Sequence, residues 1–415
     1  MNQKKNKLES IVYILNLYFG MIFFAVYGIL GLTYSGSSED SSFVYGYVFL
    51  DVLVLIYFIY NSLRNGLGGR GIIMLFVSLF FLTVYVLDPP HSKVGIQDGY
   101  LFFAESLPAI LIAIVLAKTD QLNTLSRYYD VLNIVLTISL LLNFKMFTSG
   151  AIGGIAGTTN YQALAYTAAF AFSINIFSLL AGSFYPERFG FFKSWFFYVV
   201  ELMFLPVQIL ACIMSGGRGG AVLIILSFII VVFYAYKWEK RISRTIVTIL
   251  GITVLGFFVL RVLPDQYSEP ILNGLNRQFS YISKSGIDMG ETSNRDIVYA
   301  EALAAFRERP AFGYGLFKYA DRLGSYPHNI FLQVMVQGGV FYLLLFAIFM
   351  LALFIKAFKM LNDSSNSLLI IIALYPFVLL MFSGSYTRDP LFWFLVTYLF
   401  VINNTSKSNY NMIAE

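Results

Sequence analysis

The sequence predicts an all-α polytopic membrane protein with about 12 transmembrane helices, and three observations carry that prediction. Of its 415 residues, 58% are hydrophobic and 12% charged, against roughly 45–50% and about 25% in a soluble domain. A mean hydropathy of +0.72 excludes a water-soluble globular enzyme. One cysteine, Cys212, and 11 prolines exclude disulfide-stapled and collagen-like chains. Second, the apolar residues come in long unbroken runs, whereas a membrane β-barrel would show short alternating strands. The runs lie near 11–32, 43–63, 72–87, 99–117, 130–148, 161–182, 196–215, 219–236, 246–263, 329–355, 367–384 and 390–404.

The third observation is charge placement. With the N-terminus inside, the inner loops carry Arg64, Arg70, Lys118, Arg127, Arg188, Lys193, Lys237, Lys240, Arg241, Arg244, Lys356 and Lys359. The outer loops and helix ends hold only Lys93, Lys145, Arg218, Arg261 and Arg388. This positive-inside asymmetry predicts cytoplasmic N- and C-termini. For the same reason the net charge of +5 is not read as nucleic-acid affinity. The basic stretch Met1–Lys7 looks like the start of a signal peptide, but the apolar run after it is too long and no small-residue cleavage site follows, so it is read as the first helix.

The chain therefore divides into 1–263, with transmembrane helices 1–9; 264–327, a large polar loop on the outer face; and 328–415, with helices 10–12. No internal repeat or heptad run is present. Since membrane-embedded loops of about ten residues cannot fold alone, chemistry is expected in or beneath the loop of roughly 64 residues.

Three side chains at the outer face are candidates for that chemistry. Arg218 lies in the turn Ser215-Gly216-Gly217-Arg218-Gly219-Gly220. Glycines such as Gly217 and Gly219 let a ligand approach the backbone, and arginine pairs with phosphate through two parallel hydrogen bonds. A flexible hairpin with a snorkelling arginine reads equally well. Arg295 follows Ser293-Asn294, which with Asp296 fits a loose capping box opening a helix that ends before Pro310. Tyr299, Ala302, Leu303 and Phe306 form one apolar stripe on that helix. A cation in the first turn is poorly placed against the helix dipole unless an anion binds there; the alternative is a solvated Arg295 paired with Asp296 or Glu291. His328, in Tyr326-Pro327-His328-Asn329, sits where the tenth span begins, with Asn329 able to cap it. Histidine is the side chain whose ordinary pKa suits proton transfer near neutrality, although a capping role at the interface is an equal reading.

The other polar groups are read as structural. His91 reads as a surface loop residue. Asp51, Glu105 and Glu201 are expected to make helix-packing hydrogen bonds, with a substrate or proton path as the alternative. Glu39-Asp40 reads as a solvated loop rather than a metal-binding pair. With no D-x-D, CxxC, histidine cluster or Walker or Rossmann glycine motif, the sequence asks for neither a metal nor a nucleotide cofactor.

Two arginines and one histidine suit a reaction on a lipid diphosphate, which is already a good leaving group. The enzyme has to neutralise its charge and take a proton from an attacking hydroxyl. Pro327-His328-Asn329-Ile330-Phe331-Leu332-Gln333 followed by Gly338-Gly339 resembles the hallmark of the O-antigen ligase and polymerase superfamily. The Ser215–Gly220 turn is similar to its Ser-Arg-Gly turn, and Gly313-Tyr314-Gly315 to its G-x-G before the histidine. Gly157-Thr158-Thr159-Asn160-Tyr161-Gln162-Ala163 resembles its Gly/Asn segment more weakly. The likeness covers about 150–345; a glycine-rich 216–220 in place of the commoner Ser/Arg/Ala/aromatic turn leaves the subdivision open. The resemblance implies a GT-C-like, metal-independent, inverting glycosyltransferase of the bacterial inner membrane, with its site on the periplasmic face. In that reading Arg218 and Arg295 bind diphosphate, His328 is catalytic, and Gly217, Gly219 and Asn329 support them. Its partners would be an undecaprenyl-diphosphate-linked oligosaccharide, a glycan or lipid A-core acceptor, membrane lipids and a chain-length regulator. Tyr-Pro-His-Asn in an aromatic-rich chain is similar to repeat-unit polymerases; a ligase is the alternative. Tyr281, Tyr314 and Tyr319 are candidates to stack on sugars. A twelve-helix transporter or lipid-oligosaccharide flippase is a rival from another class, set against by the absence of internal repeats and the position of the long loop.

Overall fold

A computed structural model of the protein describes residues 2–32, 42–144, 161–184, 188–239, 242–280, 282–283, 286–287 and 295–403. Among these the chain is helical apart from one two-residue antiparallel pair, Ile282–Ser283 against Gly286–Ile287. The expected polytopic membrane protein is borne out. Among the described residues eight helices are long and apolar enough to cross a membrane, or nine if one bent pair counts as a span. The sequence expectation of about twelve is not reached by length and composition: the expected spans outside the eight are the bent N-terminal pair, the helix Ile242–Val262 and the two short helices at the C-terminal end.

At the N-terminal end, α1 (Asn2–Leu17) and α2 (Phe19–Ile29) meet at an 82° bend. The cause is Tyr18, drawn into the core where its hydroxyl bonds Tyr129 at 2.7 Å and its ring stacks on Phe170 at 5.2 Å. At the other end, α16 (Leu368–Phe382) and α17 (Pro390–Val401) have 15 and 12 residues. At about 1.5 Å rise per residue both fall short of a hydrocarbon core about 30 Å thick.

Between them run α3 (Ser42–Asn65) and α4 (Gly68–Leu87), then α5 (Lys93–Leu101), which passes through a π-turn at Phe102–Ser106 into α6 (Leu107–Thr119). Pro108 supplies no N–H at that point, so the regular ladder has to be rearranged. Next come α7 (Ser126–Leu142), α8 (Tyr161–Ala181), α9 (Trp195–Ser215), α10 (Arg218–Glu239) and α11 (Ile242–Val262). The helix α8 is the centre of the bundle, packed against α7, α9, α10 and α16 and almost wholly buried. Its alanines, Ala165, Ala168, Ala169 and Ala171, are fully buried, and small side chains are what allow close helix approach where lipid gives no hydrophobic drive. On α3, α4 and the later part of α15 (Ile330–Met360), residues such as Ile56, Phe76, Leu345 and Ile348 are exposed, as a lipid-facing surface requires.

The polar segment 264–327 is largely helical rather than a structureless loop. It contains α12 (Ser268–Phe279), α13 (Arg295–Glu308) and the short α14 (Tyr319–Leu323). The expected amphipathic helix is α13, but its buried face is different from the predicted stripe. Ala302 and Ala305 are fully buried against Tyr319, Ala320 and Val336, while Leu303 is 42% exposed. Alanine wins because α13 lies close upon α14 and the start of α15, leaving no room for leucine. The predicted capping residues Ser293 and Asn294 lie outside the described residues, as do Glu291, Tyr281, Glu39-Asp40, Lys145, Lys240 and Arg241.

The two ends of the bundle differ in chemistry. At one end, Arg70 donates to the carbonyls of Phe400 and Ile402 at 3.4 Å, and Lys356 reaches the Ile402 carbonyl too. Cations predicted for inner loops thus gather at the C-terminus of α17, where the helix dipole favours them. Arg218, His328 and Arg388 belong to the opposite ends of their helices.

Candidate active site

The turn after α9 is fixed by packing. Gly216 takes φ +67° and ends α9 in the left-handed conformation. A Cβ at Gly217 would fall 2.3 Å from Ala165 Cβ, and one at Gly219 only 1.8 Å from the Tyr166 hydroxyl. Only glycine lets α10 begin this close to α8. Arg218, the first residue of α10, is half-buried; its Nε donates to the Arg277 carbonyl at 3.1 Å and Nη2 to Ser280 Oγ at 2.9 Å. It therefore caps the C-terminal end of α12, which is itself seated on α9 where a Gly274 Cβ would meet the Ile213 carbonyl at 2.1 Å. A freely flexible hairpin is not what is found. The neighbouring Arg277 guanidinium lies 4.0 Å above the Tyr161 ring.

Arg295 opens α13, as the sequence suggests, and is half-buried. Among the described residues it has neither a hydrogen bond nor an ion pair, so the pairing with Asp296 is not formed, while the alternative partner Glu291 lies outside them. Its charge is felt at two hydroxyl- or proton-bearing groups, His328 and Tyr166.

His328 is one of two non-glycine residues with positive φ among the described residues, at +55°. A bulky side chain in that region is uncommon, and such strain gathers at functional sites. The left-handed turn reverses the chain between the buried Pro327 and α15 and lays the imidazole on Tyr326, ring centroids 4.5 Å apart. Nδ1 is buried without a partner. Burial, then the charges of Arg295 and Arg388, push the His328 pKa down from 6.5 to about 4, so the ring is neutral near pH 7 and able to accept a proton. Asn329 is the cap of α15, its Oδ1 accepting from the amides of Phe331 at 3.0 Å and Leu332 at 3.2 Å.

The predicted tenth span is broken. At Gly339, φ +64° and ψ −160° interrupt α15, leaving a short half-helix that carries His328 and Asn329 at its head. The break is held by the other glycine motif: Tyr314 and Gly315 amides donate to the carbonyls of Val336 at 2.9 Å and Gln337 at 2.8 Å. A Cβ at Gly313 would sit 2.4 Å from Val336 O, and one at Gly339 2.3 Å from Ala311. The two glycine pieces that look weak apart in the sequence are two sides of one clasp.

Beneath the histidine lies a polar network that the sequence reading missed. Asp98, fully buried on α5, accepts from Tyr319 at 2.7 Å and Ser385 at 3.1 Å and lies 3.8 Å from Arg388. Gln333 donates to Tyr319 at 3.2 Å and Ser385 at 2.6 Å. Arg388 lies 4.6 Å over the Tyr326 ring, which is tilted at 57° against His328. The sequence marked Arg388 only as an outer helix end; the one available signal was an Asp and an Arg in segments otherwise apolar. Tyr319, proposed to stack on sugar, is instead locked in this network. Tyr314 is half-buried, bonded to Glu308 and covered on one face by Arg309 at 4.6 Å; hydrogen bonds from Arg322 and Tyr314 hold the Glu308 carboxyl down near 2.

Arg218 and His328 make no direct contact; Tyr166 and Arg295 connect their surroundings. The remaining charges are structural: Glu201 and Asp130 both pair with Arg188, at 2.6 and 2.9 Å, and Asp51 accepts from Asn16 at 2.9 Å. The backbone of His91 donates to Asp321 at 3.0 Å. Among the described residues no group of three or more His, Cys, Asp or Glu is placed to hold a metal ion.

Residues 202–347 match the sequence profile of the family described as O-antigen ligase. Over these residues the chain is similar to that family. The resemblance to the O-antigen ligase and polymerase superfamily is thereby borne out, and with it a ligase- or polymerase-type function in general. The matched segment contains the Gly216–Gly220 turn, the 264–327 segment and the whole clasp around His328; the weaker resemblance at Gly157–Ala163 lies outside the match, and its residues 157–160 lie outside the described residues. Comparison with curated proteins and with solved structures returned no match.

Proposed function

We propose that the protein is a GT-C-like glycosyltransferase of the bacterial inner membrane that moves an undecaprenyl-diphosphate-linked glycan onto a sugar hydroxyl, polymerising O-antigen or capsule repeat units. The observation that carries this is a strained, neutral histidine with a buried unpartnered nitrogen, flanked by Arg295 and Arg388, inside the segment that matches the O-antigen ligases. An acceptor hydroxyl would supply the missing partner of the imidazole. As its oxygen bonds to the anomeric carbon, its proton passes to His328 and the carbon–oxygen bond to phosphate breaks, the electron pair leaving with the diphosphate. Attack from the face opposite the phosphate inverts the linkage. Arg295, paired with no carboxylate among the described residues, meets the charge on the leaving group, and Arg218 acts at the head of α10 while holding α12. In this reading the periplasmic segment 264–327 covers the site, residues 1–263 and 328–415 form the membrane frame, and both termini are cytoplasmic.

The protein reconstituted in lipid with undecaprenyl-diphosphate-linked repeat units alone is expected to produce a ladder of longer lipid-linked glycans, lost in Arg295→Ala and His328→Ala. The match to the O-antigen ligase family favours a second reading, transfer of the finished glycan to lipid A-core. Transfer only when lipid A-core is supplied would establish that ligase. Neither product from folded protein given its cognate unit would overturn the glycosyltransferase reading.

A further inference from the structure

Tyr166 is 3% exposed, and its hydroxyl has no hydrogen-bond partner among the described residues. A buried hydroxyl left unpaired is costly, and in a native structure it calls for an explanation. Its position is well defined. The ring is held edge-on to Tyr375 at 6.1 Å, and the hydroxyl rests on the first turn of α10, where a Cβ on Gly219 would come within 1.8 Å of it. The Gly219 amide lies in that turn, where a helix has no carbonyl of its own to offer. Among the described residues, Arg295 and the Cys212 thiol are the titratable groups whose charge reaches the hydroxyl. A neutral donor and a helix N-terminus thus face one place, within electrostatic reach of a cation, each of them favouring an anionic oxygen.

We propose that the Tyr166 hydroxyl and the first turn of α10 together seat an oxygen of the lipid diphosphate, with Tyr166 as donor. This deepens the glycosyltransferase reading and rests on it for the identity of the anion. It also gives Gly219 a reason beyond helix packing, because any side chain there would collide with the hydroxyl and displace it. The shared chemistry is a phosphate ester oxygen on a polyprenyl chain; undecaprenyl monophosphate and diphosphate separate a site for one phosphate from a site for two.

The test titrates undecaprenyl diphosphate and undecaprenyl monophosphate into the full-length protein in lipid nanodiscs and measures glycan transfer in parallel. Tyr166→Phe is expected to bind the diphosphate about 10- to 100-fold more weakly, the range for one hydrogen bond to a charged acceptor, with kcat/KM falling by the same factor and the melting temperature of the unliganded protein kept. Replacing Tyr166 by 4-aminophenylalanine, which restores a donor on the same ring, is expected to recover most of the loss. If the phenylalanine variant does not fold, 4-fluorophenylalanine, which fills the space but cannot donate, reads the same quantity. Wild-type affinity for the diphosphate in either non-donating variant overturns the proposal, as does a loss equal for both lipids with no rescue by the amine. Wild-type protein that binds undecaprenyl diphosphate yet transfers no glycan would instead remove the glycosyltransferase reading and leave the seat standing.

Discussion

The protonation state of His328 is set by its surroundings in a way that can be measured without any substrate. The chain has two histidines, so protein labelled with 13C at the imidazole Cε1 gives two imidazole signals, and His91→Gln assigns them. His328 is expected to titrate near 4 rather than 6.5. The causes rank as burial, then Arg295, then Arg388. Arg295→Gln should raise the titration, and by more than Arg388→Gln, each by less than the whole gap from about 4 to 6.5 because burial is the largest cause; each substitution removes a positive charge that opposes a second one on the ring. The sign for stability follows from linkage. The unfolded chain takes up its proton near 6.5 and the folded one near 4, so this residue costs stability as pH falls through that window and is neutral to it above. A wild-type His328 titrating near 6.5, or an Arg295→Gln variant that titrates lower than wild type, would refute the argument that two cations keep the base neutral.

Other outcomes follow from the same geometry. His328→Gly is expected to be inactive yet more stable than His328→Ala by about 1 kcal/mol, because glycine relieves the left-handed strain that alanine keeps; denaturant melts of the pair check it. Gly339→Ala and Gly313→Ala should each destabilise by about 2 kcal/mol or more, since both combine positive φ with a Cβ inside 2.5 Å of backbone, and limited proteolysis in the 310–340 segment should follow. Arg188→Ala strands Asp130 and Glu201 with side-chain exposures of 1% and 2%, a loss of about 3–5 kcal/mol; it should lower thermal stability sharply, while Glu201→Gln in active protein leaves transfer intact, an outcome a proton-coupled transporter would not give. Arg218→Lys keeps the charge but not the fork that caps α12, so transfer should fall with a measurable rise in hydrogen exchange over 268–280.

Much of this protein was written in its sequence at the level where chemistry is local. Membrane residence follows from composition alone, because lipid rejects polar backbone and side chains whatever the topology. The helix bounded by Arg295 and Pro310 and the cap at Asn329 depend on near neighbours in the chain, and both were legible. His328 and the arginines stood out for the same reason: charge and imidazole are rare in an apolar chain, so each needs an account. What tertiary structure alone decided is how the pieces meet. A glycine pair and a G-x-G are uninformative until Val336 and Gln337 carbonyls are found bonded across the break at Gly339. The apolar stripe of α13 runs through Ala302 and Ala305 because the partner surface, not the helix, sets how much volume fits. Asp98 and Arg388, 290 positions apart, become one unit under His328 only through folding, and Tyr166, an ordinary aromatic by sequence, is singled out only by the hydroxyl left without a partner. Periodicity and capping act over a few residues, whereas burial, strain and the fields of distant charges are properties of the packed bundle, and it is these that distinguish a base from a cap.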